Sequence, residues 1–137
     1  MRLFGLIGFP LSHSFSKGFF AEKFEKEGIE GCSYENFPIP AIEQFPSLWK
    51  EHPQLEGLNV TIPYKQAVIP FLDDFSGAAK AIGAVNCIRL RNNKLKGHNT
   101  DVIGFRRSLE PLLKPHHTKA LILGAGGAAK AVKFALE

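Results

Sequence analysis

Cysteine is scarce in this sequence, with Cys32 and Cys87 the only two. They stand far apart, with no Cys-x-x-Cys and no histidine at metal-ligand spacing, which argues against a disulfide framework and against a metal site. Both are read as reduced, structural residues of a cytoplasmic protein. Long apolar runs are missing too. No stretch approaches the roughly 20 residues of a membrane-spanning helix, so no membrane partner is expected. The apolar start, Met1 to Gly8, runs into Phe9-Pro10. It lacks the length and cleavage pattern of a secretory signal and reads better as a first strand. There is no internal repeat and no low-complexity tract. Gly124 to Ala131 does not contain Gly-x-x-x-x-Gly-Lys-[Ser/Thr], which excludes a P-loop.

A net charge of +4 raises the question of nucleic acid. The densest basic stretch, Arg89 to Lys96, alternates basic and apolar residues around Asn92-Asn93. That is the pattern of a hairpin with one solvated face. No recognition motif and no aromatic platform accompany the charge, so no nucleic-acid partner is expected. The apolar and charged fractions are those of an ordinary globular chain, and 137 residues suffice for one core and the beginning of a second.

What is present is a succession of strands and helices. Arg2 to Gly8 is the first strand, and a turn-rich loop to Ser16 carries three serines and His13. A helix follows from Ser16 to Glu27, with Phe20 and Phe24 as its core stripe and Gly28 as its stop. Cys32 to Phe37 is a second strand. Ala41 to Lys50 is a short helix interrupted by Pro46. Leu55 to Val60 is an apolar, buried strand that Pro63 brings to an end. A helical turn runs from Lys65 to Ile69, and Ser76 caps a helix from Gly77 to Ile82. Val85 to Arg91 and Lys94 to Asn99 form the hairpin. Asp101 opens a helix with Val102, Phe105, Leu109 and Leu112 on one side. Such alternation predicts an α/β fold: a mostly parallel sheet with one antiparallel hairpin strand and helices on both faces.

From Lys119 the pattern restarts, with Lys119 to Leu123 as a strand, Gly124-Ala125-Gly126-Gly127-Ala128-Ala129 as a turn and Lys130 to Leu136 as a helix. This is Gly-x-Gly-x-x-Ala between a strand and a helix, the context a dinucleotide fingerprint requires. Gly124 permits the tight turn, Gly126 lets a pyrophosphate approach and Ala129 keeps helix and strand close. The residues from Lys119 to Glu137 fall short of the roughly 30 that a βαβ unit needs. The expectation is one whole domain, residues 1–115, and the first βα of a Rossmann-type domain, residues 116–137.

The chemistry gathers where the strand ending at Val60 breaks. Asn59, Thr61 and Lys65 offer an amide, a hydroxyl and an ammonium at the carboxyl end of an α/β strand, which is where such sheets hold ligands. A small polyhydroxylated molecule suits that set. Lys65 can supply both positive charge and a proton to an oxygen that becomes an alkoxide. Asp101 is suited to orient that ammonium, or simply to cap its helix. Ser14 and Ser16 are ligand candidates that could equally be turn residues. His13 is read as holding its loop. His98, His116 and His117 are read as solvent-facing.

Four stretches now stand together: Gly8 to Ser16, Asn59 to Lys65, Gly83-Ala84-Val85-Asn86, and Gly97 to Gly104. In this order, followed by Gly124 to Ala129, they closely resemble the shikimate dehydrogenase family over the whole chain. The resemblance implies NADP-dependent interconversion of 3-dehydroshikimate and shikimate, a step of aromatic amino-acid biosynthesis. It further implies that Ser14 and Ser16 hold the substrate carboxylate and that Asn59, Thr61, Asn86 and Asp101 hold ring hydroxyls. Lys65 would stand at the reacting hydroxyl, and Gly124, Ala125, Gly126, Gly127, Ala128 and Ala129 would hold the cofactor. The chain departs from the family at Lys17, Phe20-Ala21 and Cys87, where proline, a His-Asn pair and threonine are usual. A quinate/shikimate dehydrogenase using NAD and a non-catalytic shikimate-binding module are the alternatives. Oligomeric state is not legible.

Overall fold

A computed structural model describes every residue from Met1 to Glu137. Six strands form one sheet: β1 (Arg2–Gly8), β2 (Cys32–Pro38), β3 (Leu55–Val60), β4 (Asp74–Phe75), β5 (Cys87–Arg91) and β6 (Lys94–His98), in the order β2-β1-β3-β5-β6-β4. β1 pairs in parallel with β2 and β3, and β4 in parallel with β6, while β5 is antiparallel to both its neighbours. The expected single reversed strand is therefore β5. Its hairpin turns on Asn92 and Asn93, both at positive φ (52° and 59°), which asparagine adopts more readily than most residues. The two-residue β4 was not expected; its brevity hides it from any periodicity.

Six helices surround the sheet: α1 (Ser16–Lys26), α2 (Phe45–Glu51), α3 (Tyr64–Ala67), α4 (Gly77–Ile82), α5 (Asp101–Leu109) and α6 (Gly127–Leu136). One sheet face carries the main core, in which Leu3, Ile7, Leu58, Val60 and Ile88 meet Phe45 and Leu48 of α2 and Val68. On the other face Leu6, Leu11 and Tyr34 pack against Phe20 and Phe24 of α1. α1 buries no residue completely, because its stripe lies over β1 and β2 and leaves the middle of that face open. α6 packs on α4 and α5 through Ala131, Ile82, Ala84 and Val102. The glycine turn is thereby anchored to the first sheet.

Three expectations need correction. Pro46 does not interrupt the second helix. It sits in the first turn of α2, where the missing N–H has no intrahelical acceptor to lose, and a 3₁₀ turn, Ile42–Gln44, precedes it. α6 starts at Gly127, three residues before Lys130. Lys119 to Leu123 joins no ladder, and Leu121 and Leu123 are exposed. A strand needs a neighbour's backbone groups, and no strand of this chain lies beside that segment.

Two tests follow from the packing. A Cβ at Gly5 would run into the Phe37 ring and the Glu35 carbonyl, so Gly5→Ala should destabilise the domain by about 1–3 kcal/mol in urea unfolding. His98, expected to face solvent, is half-buried against the sheet. Desolvation first, then the cations Arg89 and Lys96, holds its imidazole below the ordinary pKa, with Asp74 opposing. As pH falls below about 6.5 the unfolded chain binds a proton that the folded one resists, so this stability is present above that value and lost on acidification. His98→Gln should reduce the drop in melting temperature between about pH 7.5 and pH 5.5, above the range in which carboxylates titrate.

Candidate active site

The end of β3 feeds directly into the site. Thr61 follows the strand, its N–H bound to the Ile7 carbonyl (2.9 Å), and its own carbonyl accepts from Tyr64 N–H (2.9 Å). That turn starts α3 and sets Lys65 on it. The Lys65 carbonyl accepts from Val85 N–H (2.7 Å), which ties the lysine's backbone to the segment entering β5. Its Nζ donates to Asp101 Oδ2 at 2.6 Å, with both side chains more than half buried.

Asp101 is the first residue of α5 and does not cap it. The cap comes from Asn99, whose Oδ1 accepts from Val102 N–H (3.3 Å) while its Nδ2 donates to the Ala84 carbonyl (3.0 Å). This frees the Asp101 carboxylate to face Lys65. Asn86 completes the cluster. Its Nδ2 donates to Asp101 Oδ1 (2.9 Å) and Thr100 Oγ1 (2.8 Å), and its Oδ1 accepts from Thr100 N–H (2.8 Å). Both amide protons are thus used within the protein, and the second lone pair of Oδ1 is the atom left to meet a ligand. The Asn86 carbonyl takes Val60 N–H (2.8 Å) and, at a long 3.5 Å, Asn59 Nδ2. Asn59 Oδ1 in turn accepts from the Tyr34 hydroxyl (2.9 Å).

Ser14 and Ser16 lie across Thr61 from this cluster. Ser14 Oγ accepts from Ser16 N–H (3.3 Å), and both line a cavity of about 460 Å³ with Leu6, Leu11, Thr61 and Ile62. A second cavity, about 340 Å³, is lined by Thr61, Ile62, Lys65, Gly126, Gly127 and Ala128. The two share Thr61 and Ile62, which stand between the serines on one side and the lysine and glycine turn on the other. His13 stands exposed in the serine wall without a side-chain hydrogen bond, so it does not hold the loop by one. His116 and His117 are exposed, as expected.

The glycine turn fits an anionic group. Gly124 has φ +135°, a conformation side chains rarely adopt, and a Cβ at Gly126 would meet nothing within 4 Å. The first-turn amides of α6 have no intrahelical acceptors, and no acidic residue stands among them. Gly127 matters for another reason: a Cβ there would come within 2.8 Å of Lys65 Cβ and 3.1 Å of its Cδ. The turn therefore touches the lysine itself. Of the six fingerprint residues, Gly126, Gly127 and Ala128 reach the cavity, while Gly124, Ala125 and Ala129 shape the turn behind it. Sequence reasoning missed Tyr34, Asn99, Thr100 and the Gly127 contact. An asparagine two residues before an acidic helix start is a capping signal that could have flagged Asn99.

Fold and site define an α/β ligand-binding domain with a polar, lysine-centred site at the carboxyl ends of its strands. The family profile described as shikimate dehydrogenase substrate binding domain matches residues 6–88, and the chain belongs to the shikimate dehydrogenase family. It is 45% identical to a shikimate dehydrogenase (NADP(+)) from Dictyoglomus thermophilum over 98% of its length and 49% of that protein's. Among solved structures, shikimate dehydrogenase 1 from Peptoclostridium difficile superposes with TM-score 0.89 at 40% identity, over 99% of this chain and 51% of that one. The Thermus thermophilus shikimate 5-dehydrogenase in complex with shikimate gives TM-score 0.87 at 41% identity, over 99% and 52%. The chain spans about half the length of these relatives.

Asn86→Ala removes the acceptor of Thr100 N–H and the donor to Asp101 together. It should cost about 1–3 kcal/mol of folding stability in urea titration, more than Asn→Ala at the exposed turn residue Asn93.

Proposed function

We propose that this chain supplies the substrate-binding half of an NADP-dependent shikimate dehydrogenase, which interconverts 3-dehydroshikimate and shikimate. The observation that carries the reading is the Lys65–Asp101 pair at 2.6 Å, with Lys65 lining the same cavity as the glycine turn and Thr61 shared between that cavity and the one lined by the two serines. Ser14 and Ser16 hold the substrate carboxylate by hydroxyl donation. Thr61, Asn59 and Asn86 engage the ring hydroxyls, and Asp101 accepts from one of them while it orients the ammonium.

NADPH, when bound, supplies the hydride, and Gly126, Gly127 and Ala128 are the residues here that would hold its phosphates. The Lys65 ammonium stabilises the charge that develops on the ketone oxygen and passes a proton to it. In the reverse direction the neutral amine takes that proton back. Asp101, fixed by Asn86, keeps Nζ from swinging away, and Gly127 keeps the lysine stem pressed to the wall. Close positioning of this kind is a large part of what a site contributes to rate.

The test is dinucleotide reduction by the complete protein that carries this chain, offered shikimate or quinate with NADP or NAD. Reduction with shikimate and NADP is the expected result. Activity with quinate or NAD moves the assignment to a quinate/shikimate dehydrogenase, and shikimate binding without turnover makes it a binding module. Lys65→Ala should lower kcat by about a hundredfold or more while KM for shikimate changes far less. An equal loss in both would remove the acid–base role.

A further inference from the structure

Tyr34 lies outside every role described so far. It stands on β2, is 6% exposed, and stacks on Phe20 of α1 with ring centroids 4.4 Å apart and planes 14° apart. A buried phenol normally finds a partner for its hydroxyl. This one reaches across β1 to the end of β3 and donates to Asn59 Oδ1 at 2.9 Å. Burial pushes its ionisation well above the ordinary value, so it remains a donor throughout the physiological range.

The direction of these bonds follows from proton counting. An asparagine amide has an acceptor end and a donor end, and its two orientations differ only in which way each points. Rotating the Asn59 amide by half a turn would set its oxygen against the Asn86 carbonyl, which now faces Nδ2 at 3.5 Å. It would also leave the phenol proton without its acceptor. With Asn59 Nδ2 turned to the Asn86 carbonyl, Oδ1 is the end that meets the phenol, and the phenol's proton is committed to it. One Nδ2 proton goes to Asn86 and the other is unused within the protein.

We propose that Tyr34 is a positioning residue that locks the Asn59 amide, so that the free Nδ2 proton of Asn59 is held toward the substrate. The proposal rests on the substrate reading above and deepens it. Asn59 thereby favours an acceptor oxygen at its subsite.

The experiment is a double-mutant cycle in the complete protein. Tyr34→Phe keeps the ring and its stacking and removes only the oxygen. It should raise KM for shikimate by about three- to tenfold with kcat within about twofold and the melting temperature little changed. In an Asn59→Ala background the same substitution should leave KM unchanged, because the residue it acts through is gone. An equal effect in both backgrounds would mean that Tyr34 is merely structural, and no effect in either would overturn the proposal as well. A ligand-free measurement separates this failure from failure of the substrate reading. The side-chain NH₂ resonances of Asn59, followed by ¹⁵N NMR, should shift and broaden in Tyr34→Phe. Unchanged resonances overturn the lock even if the protein turns over shikimate. Shifted resonances uphold the lock even if it turns over none.

Discussion

The site depends on one buried amide. Asn86 receives or gives hydrogen bonds to four separate stretches of chain: the end of β3 through Val60 and Asn59, the end of β6 through His98, the loop at Thr100, and α5 through Asp101. A polar group removed from water must have its bonds satisfied, and in a low-dielectric surrounding those bonds are strong and costly to lose. Asn86 meets that demand only when all four segments are in place. The residue therefore reports on the assembly of the whole strand-end region, and the Lys65–Asp101 pair is held correct as a consequence.

Much of this was legible in the residues before any coordinates. Leu55 to Val60 had to be buried, Pro63 had to end it, and Lys65 had to follow within a turn. The αL glycine at position 83 (φ 69°) after a serine-capped helix also agrees with simple stop and start rules. What was not legible depended on distance in space. Tyr34 reads as an ordinary β-strand aromatic, because its value lies in a partner that is 25 residues away in sequence. Asp101 offered two roles, cap or partner of the lysine, and only the position of Asn99 decides between them. Lys119 to Leu123 has the composition of a strand, yet a strand exists only with a neighbour, and composition carries no information about neighbours. Pro46 could break a helix or begin one, and the difference lies in a register of one turn.

The contact between Gly127 and Lys65 gives the glycine turn a second meaning. A Gly-x-Gly-x-x-Ala pattern is usually explained by the backbone's approach to phosphate. Here the third glycine is required by a protein side chain, since any Cβ would displace the stem of the lysine rather than its mobile tip. α6 is meanwhile seated on α4 and α5 by Ala131, Ile82 and Val102, apolar contacts that set the spacing between turn and lysine. The small Ala131 at that seat lets α6 lie close to Ile82 and Val102, and the turn before it lines the same cavity as Lys65.

Topology explains why these groups meet at all. In a sheet whose strands all ran one way, only carboxyl ends would lie at this rim, and the beginning of every strand would be at the opposite edge. β5 is reversed with respect to β3 and β6, so its amino end, with Ala84, Val85 and Asn86 leading in, arrives beside the carboxyl ends of both neighbours. Lys65 comes after β3, Asp101 after β6, and Asn86 before β5. One reversed strand thus brings three chemically different groups to a single point with no long connection, and the two-residue Asn92-Asn93 turn is what makes that reversal short. The antiparallel hairpin, the feature that departs from a simple parallel α/β sheet, is the structural origin of the site.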